Sequence, residues 1–409
     1  MRWNRLIALI AAMLIAAPVT AGERWVSSWG SAQMVPTDEN VLPLARSSNV
    51  TLRQFVRLST AGKRVRVRFS NAFGTQPLVI GAAHLGRPVR LGAPELMEGG
   101  RRLSFAGAPS ITIAAGAEAY SDPVDVAVAP GGDVAVSLYL PQAPVGQTGH
   151  PGSRTTSFLI SGNQVAELRP TGSTPTTRWW GLADIEVEVG ESAAGTVVAI
   201  GDSITDGYGV LPDTNLRWTD TLAVRLRAEV ATRTIGVVNA GIGGNRILLD
   251  GSGPNLLARF DRDVIARSGV RWAIVLEGVN DLGVLTRDAP ATPQAHAAIV
   301  TQLTQAYTQL VARAHAHGIK VIGGTIMPFG GNGYYHPGPE LEADRQAVNR
   351  FIRTSGLFDA VIDFDRIMRD PAKPDRLNPA YDSGDHLHPS MAGYRAMGEA
   401  VPLTLFKRK

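Results

Sequence analysis

Apolar and polar positions alternate in two different ways along this chain, and the change falls near residue 190. Between residues 24 and 188 the period is two. Val65-Arg66-Val67-Arg68-Phe69 interleaves apolar with charged side chains, as a strand with one buried face does. Ile111-Thr112-Ile113, Val124-Asp125-Val126-Ala127-Val128 and Val134-Ala135-Val136-Ser137-Leu138-Tyr139-Leu140 carry the same signature, with Pro130-Gly131-Gly132 and Pro141 as punctuation. Short strands separated by turn residues, with no sustained helical period, predict an all-β sandwich.

From Gly195 onward, buried-strand runs alternate with helical stretches. The pattern predicts strands over 196–200, 235–239, 272–276, 320–326 and 360–364. It predicts helices over 218–230, 256–266, 293–317, 341–354 and from about Ser390, with Gly318 as a helix stop. Such alternation specifies βαβ units, and hence a five-stranded parallel sheet with helices on both faces. The expected division is residues 22–190 as a β-sandwich accessory domain and 191–409 as an α/β domain that carries the chemistry.

Residues 1–21 stand outside both. Arg2 and Arg5 precede an apolar run over 6–17, and Val19-Thr20-Ala21 fits a small-x-small cleavage pattern. The expectation is a secretory signal peptide cut after Ala21, its apolar run too short to span a bilayer. Export to the periplasm or the extracellular space follows, with no stable membrane insertion. Cysteine is absent, which excludes a thiol nucleophile and thiolate metal sites. The formal charge is +4, two units of which are Arg2 and Arg5, so +2 remains after cleavage. That excess is unclustered and gives no electrostatic case for nucleic acid.

Four unusual segments sit just past predicted strand ends, where open parallel sheets place their sites. They are Gly201-Asp202-Ser203-Ile204, Gly241-Ile242-Gly243-Gly244-Asn245, Gly278-Val279-Asn280-Asp281 and Asp385-His386-Leu387-His388. Taken alone, Ser203 reads as a turn or N-cap serine. Thr205 breaks the G-x-S-x-G nucleophile elbow, which disfavours an α/β-hydrolase. Gly241-Ile242-Gly243 begins like a dinucleotide fingerprint, but Arg246 stands where the third glycine belongs. The remaining readings of that turn are a tight bend or a backbone donor, with Gly244 as a candidate oxyanion donor. Asn280 reads equally as a helix cap or as an amide donor to an oxyanion. Asp385 and His388, three apart at an expected helix start, can meet on one face. The carboxylate then accepts from Nδ1 and leaves Nε2 to take a proton from a serine. His386 points elsewhere at that spacing. The metal alternative joins His386 and His388 to an aspartate and lacks a third well-placed ligand, His336 in a Gly/Pro-rich loop being a candidate, which is poor for zinc.

Together, in this order, the four segments resemble the SGNH/GDSL hydrolase family, over about residues 195–406. The first block has Ile204 where the family name has Leu. The resemblance implies a flavodoxin-like αβα sandwich and ester hydrolysis without cofactor or metal. Block by block, it implies Ser203 as nucleophile, His388 as base and Asp385 as its orienting carboxylate. It also implies an oxyanion hole made of the Ser203 and Gly244 N–H groups and the Asn280 amide. A leading β-sandwich looks like some bacterial carbohydrate esterases and also like a secreted arylesterase or acylhydrolase branch. The expected substrate is a small-molecule or polysaccharide ester, foremost a carbohydrate O-acetyl group. Trp218, Tyr334 and Tyr335 are candidates to stack on sugar rings, each with core packing as the alternative. A lipase or lysophospholipase is the second enzyme reading, and a carbohydrate-binding protein is the non-enzyme one.

Overall fold

The computed structural model describes residues 24–43, 48–190 and 195–407. The signal-peptide segment expected at 1–21 lies outside them. Among the described residues no helix is long and apolar enough to cross a membrane.

The period-two segments form two antiparallel sheets packed face to face. In one, Leu182–Val189 pairs with Arg24–Gly30 and with Gly62–Ser70, and the latter also pairs with Glu118–Tyr120 and Val124–Val128. The other runs Ser173–Thr176, Ser157–Ser161, Val50–Arg57, Asp133–Leu140, Ala82–Gly86 and Arg101–Leu103. Val65, Val67, Phe69, Ile185 and Val187 of the first sheet meet Leu52, Val56, Val136 and Leu138 of the second in one apolar cluster. The alternation in the sequence is thus the alternation between core face and outer face.

The C-terminal half is a flavodoxin-like αβα sandwich. Its five parallel strands stand in the order Ile235–Gly241, Gly195–Gly201, Val270–Leu276, Lys320–Gly324, Ala360–Ile362, so the sequence order is 2-1-3-4-5. Helix Trp218–Ala228 packs with Met391–Ala400, and Pro293–Ala316 packs with Pro339–Thr354. A single apolar cluster runs through the sheet and both helical layers. The fourth strand is shorter than its apolar run: Thr325 N–H still donates to Ile362 O of the fifth strand, but Ile326 N–H turns away to the Asn349 side chain. The helix expected over 256–266 is five residues of α-helix followed by a π-type turn at Asp261–Ile265. Three helices were not anticipated, one of them the single turn Ser203–Asp206. Val279–Arg287 starts at once after the third strand, with Gly278 at φ 117 in the left-handed region that permits so abrupt an entry, and Phe364–Met368 follows the fifth.

The outer face of the first β-sheet is not solvated, although its residues are charged. Asp184 and Glu186 are fully buried because that face lies against the C-terminal half. Arg267, itself buried, donates to Asp184 Oδ2 (2.9 Å), Ala183 O (2.8 Å) and Ser31 O (2.8 Å). Arg24–Gly30 runs against the edge strand Ile235–Gly241. Ser27 N–H donates to Ser268 O, and Ser59 Oγ accepts from Val237 N–H. The approach is closest at Gly236, where a Cβ would stand 2.0 Å from Ser27 O, a backbone atom that has nowhere to go. Gly236→Ala should therefore lower stability by about 1–3 kcal/mol, the usual cost of overpacking. Denaturant unfolding measures it, and an unchanged midpoint would show that the two halves do not pack through this strand.

Candidate active site

The sheet ends its first three strands at Gly201, Gly241 and Leu276, and the unusual segments gather at that edge. Asp202 leaves the first strand and caps the four-residue helix Ser203–Asp206, its Oδ1 accepting from Ile204 N–H at 2.8 Å. Gly207, at φ 89, closes the helix after one turn. The helix lies so close to the second strand that a Cβ on Gly241 would stand 2.2 Å from Asp206 N. Ser203 is thereby held at the mouth of the sheet.

Ser203 Oγ lies 2.8 Å from His388 Nε2, and His388 Nδ1 lies 2.6 Å from Asp385 Oδ2. The structure brings these three residues into one hydrogen-bonded line. The Asp385–His388 spacing does not work through a helix start, as the sequence suggested. The last helix begins only at Met391, capped by Ser390. Asp385 Oδ1 instead accepts from the backbone N–H groups of Leu387 (3.0 Å) and His388 (2.8 Å), a local turn that points Oδ2 at the imidazole. Burial works against the Asp385 charge, but the hydrogen bonds from the His388 side chain and backbone outweigh it and hold the carboxyl well below the usual range. His386 turns the other way, Nδ1 to Asp382 Oδ2 at 2.6 Å. Among the described residues no three His, Cys, Asp or Glu side chains are grouped to hold a metal ion.

Gly244 sits exposed in its turn at φ 73. Asn280 is buried in the first turn of its helix. Its amide donates to Asn245 O at 2.7 Å and its oxygen accepts from Tyr335 Oη–H at 2.7 Å. Asp281 beside it accepts from Ile247 N–H and Leu248 N–H. The second and third loops are thus tied to each other on both sides of Asn280.

Two of the three aromatic candidates are corrected. Trp218 is 0% exposed and packs against Phe364, so it offers no face to a ligand. It shares the buried stripe of its helix with Leu222 and Leu226. Tyr335 is 5% exposed, its ring lying over Gly283 and its hydroxyl orienting Asn280, so it is a support rather than a platform. Tyr334 is 58% exposed, with Arg287 donating to its hydroxyl.

Sequence reasoning missed several groups here. Tyr208 lies with its ring centroid 4.2 Å from that of His388. Asp206 meets His150, from the β-rich half, at 3.0 Å. Neither contact carries a periodic signal, and no pattern in the sequence singles out Asp206 or Tyr208. Three acidic groups form the floor. Burial pushes Asp202 up to about 7, against the Ile204 hydrogen bond and the nearby His388. Burial, then the charge of Asp202, raises Glu277 well above the carboxylate range. Burial pushes Asp281 up to about 6 despite its two backbone donors.

An αβα hydrolase fold with a Ser–His–Asp line at the carboxyl edge of its sheet defines the class. Residues 199–396, just under half of the chain, match the GDSL-like Lipase/Acylhydrolase family. The match lies wholly within the C-terminal half, which is similar to the domains of that family. Among solved structures, the chain is similar to an acetylxylan esterase from Geobacillus stearothermophilus, at 24% identity and a TM-score of 0.38, covering 53% of this chain and 96% of that one. It is also similar to an alpha/beta hydrolase enzyme from the metagenome of Lake Arreo, at 22% identity and a TM-score of 0.38, covering 52% and 95%. A GDSL-like lipase from Bacteroides thetaiotaomicron gives 20% identity and a TM-score of 0.38, covering 51% and 85%. A search of curated proteins finds no match.

The acidic floor has a consequence for stability. Unfolded, Asp202 has the ordinary aspartate value of about 3.8; in the fold, burial pushes it up to about 7. Between those values the folded protein holds a proton that the unfolded chain has released. The stabilising contribution is therefore complete below pH 3.8 and is lost as pH rises through 7. Asp202→Asn keeps the acceptor for Ile204 N–H and removes the titration. The variant should gain on wild type between about pH 5 and about pH 8, by on the order of 2–4 kcal/mol. Chemical denaturation at the two pH values measures this, and a difference that does not change with pH would mean that Asp202 titrates normally.

Proposed function

We propose that this protein is an exported serine esterase that hydrolyses carboxylic esters through an acyl-enzyme, with Ser203 as nucleophile, His388 as base and Asp385 as its orienting carboxylate. The observation that carries the reading is the unbroken hydrogen-bonded line from Ser203 Oγ through His388 to Asp385. As Oγ attacks the ester carbonyl carbon, Nε2 takes its proton. Asp385, held ionised by its donors, stabilises the resulting imidazolium. The carbonyl oxygen becomes an oxyanion that the N–H groups of Ser203 and Gly244 accommodate. The second amide hydrogen of Asn280 joins them, the first being engaged with Asn245 O. Collapse breaks the ester C–O bond, and His388 returns the proton to the leaving alkoxide. Water, deprotonated by the same imidazole, then releases the carboxylic acid and restores Ser203.

The preferred substrate in this reading is an O-acetyl group on a carbohydrate, supported by the export signal read in residues 1–21 and by the exposed ring of Tyr334. A second reading, a lipase or lysophospholipase, is favoured by one feature. An apolar groove lined by Leu248, Leu249, Val284, Leu285 and Ile299 runs beside Asp281, suited to a longer acyl chain. Acetyl, butyryl and dodecanoyl esters of one alcohol separate the two.

Ser203→Ala should abolish hydrolysis with the fold retained, and a fluorophosphonate should label Ser203; a label on any other serine would sink the assignment. His388→Ala should lose nearly all activity while His386→Ala keeps most of it, since His386 is engaged with Asp382. Equal losses would refute this division of roles. Asn280→Ala should lower kcat by about 10²–10³ with a smaller change in KM, because the oxyanion exists only along the reaction path. An unchanged kcat would reduce Asn280 to a helix-end residue.

A further inference from the structure

The β-rich half reaches the reactive serine through one loop, residues 149–156. His150 is buried, its Nδ1–H donating to Ala32 O at 2.9 Å and its Nε2 meeting Asp206 Oδ1 at 3.0 Å, so it grips the last residue of the Ser203 helix. Arg217 spans the junction, donating from Nη2 to Ser153 O and from Nε to Asp206 O. Asp213 accepts from Thr156 N–H (2.7 Å) and Thr156 Oγ1–H (2.6 Å), while its own N–H donates to Arg154 O (3.0 Å). These bonds clamp the loop across the segment that follows the reactive serine. Arg154, at φ 49, is turned so that its guanidinium lies 3.7 Å from Asp206 Oδ2 and 5.7 Å from the centroid of the Tyr208 ring.

Tyr208 is the object that this clamp holds. Its backbone N–H donates to Ser203 O (2.9 Å), and its carbonyl accepts from Tyr394 Oη–H (2.8 Å). Its ring stands against His388 with the planes 33° apart, and half of the residue remains exposed. We propose that Tyr208, positioned by Arg154 and the 149–156 loop, forms the leaving-alcohol wall of the site and selects esters whose alcohol is carried on a ring with a face that packs on an aromatic, sugar or aryl.

The proposal rests on the serine-esterase reading. In that reading Nε2 of His388 returns the proton to the leaving oxygen, so the alcohol must depart beside the imidazole. The ring next to the imidazole is therefore next to the alcohol. The remaining oxyanion donors, Gly244 and Asn280, come from other loops, so Tyr208 shares its wall with the base. A half-exposed aromatic face there takes the C–H face of a pyranose or the face of an aryl ring, and a cation on the ring fixes its position.

The test compares kcat/KM for methyl acetate, an acetylated pyranoside and phenyl acetate in wild type, Tyr208→Ala, Tyr208→Phe, Arg154→Ala and Arg154→Lys. A second measurement is the deacylation rate of preformed acetyl-enzyme, which contains no alcohol. Tyr208→Ala should lose about two- to tenfold on one or both ring alcohols relative to methyl acetate, with deacylation unchanged. Loss on the pyranoside alone identifies a sugar site, and loss on phenyl acetate alone an aryl site. Tyr208→Phe should keep the preference, Arg154→Ala should weaken it, and Arg154→Lys should restore part of it. Equal losses on all three esters together with slowed deacylation would overturn the proposal, since Tyr208 would then only steady His388. A silent Arg154→Ala would overturn the part given to the β-rich half. Fluorophosphonate labelling of Ser203 separates the two levels. A wild type that is not labelled at Ser203 defeats the esterase reading itself, whereas labelled variants with uniform losses defeat only the role of Tyr208.

Discussion

A guanidinium with no access to water ties together the strand ends from which the site is built. Arg259 donates to Gly201 O (2.9 Å) at the end of the first strand, to Ala240 O (2.7 Å) near the end of the second, and to the Asn245 side chain (2.8 Å) in the glycine turn. Asp263 lies at 3.1 Å and Glu277, which ends the third strand's approach to Gly278, at 3.7 Å. A buried cation is tolerable only when its donors and its charge are met, and here the donors are met at the bases of the first two site loops and the charge by Asp263. The positions of Ser203 and Gly244 relative to one another depend on that requirement. Asn280 and Asp281 then lock the second and third loops by their bonds to Asn245, Ile247 and Leu248.

Charge also governs how the two halves meet. Across the junction Arg267 pairs with Asp184, which also meets Arg68 of its own sheet, and Glu186 beside it is paired with Arg66, while Ala32 and Met34 join the apolar core of the C-terminal half. Such pairing stabilises little for its size, because desolvation offsets much of the attraction, but it tolerates few alternative alignments. That specificity matters because the 149–156 loop must arrive over Asp206 and Tyr208 in one register. The β-rich half is thus mechanically continuous with the helix that begins at Ser203.

Much of this was legible in the sequence because it is written in local periods. Val65 to Phe69 alternates because one face of that strand is core, and the strand–helix alternation after Gly195 is the parallel sheet. The Ser203 and Asn280 segments stood out because polar and glycine residues directly after a buried strand have no packing reason to be there, and Asp385–His388 because a carboxylate and an imidazole three apart before the last helix can pair. Less was legible where a residue type admits two environments. Trp218 and Tyr335 have the chemistry of sugar platforms, but a helix stripe buried one and a hydrogen bond to Asn280 drew the other inward. The Asp385–His388 spacing fits a helix or a turn, and only the backbone donors of Leu387 and His388 decide for the turn.

The sequence by itself determined the two architectures, their order and the segments that carry the chemistry, since each depends on neighbours within a few residues along the chain. Only the tertiary structure decided that charged Asp184 and Glu186 are interior, that Asp202, Glu277 and Asp281 share one desolvated floor, and that His150 and Arg154 belong beside Ser203. The physical reason is the same in each case. Burial and electrostatic pairing are set by what packs on a group from far away in sequence, and His150 and Asp206, 56 residues apart, leave no trace of their pairing in the local pattern of either.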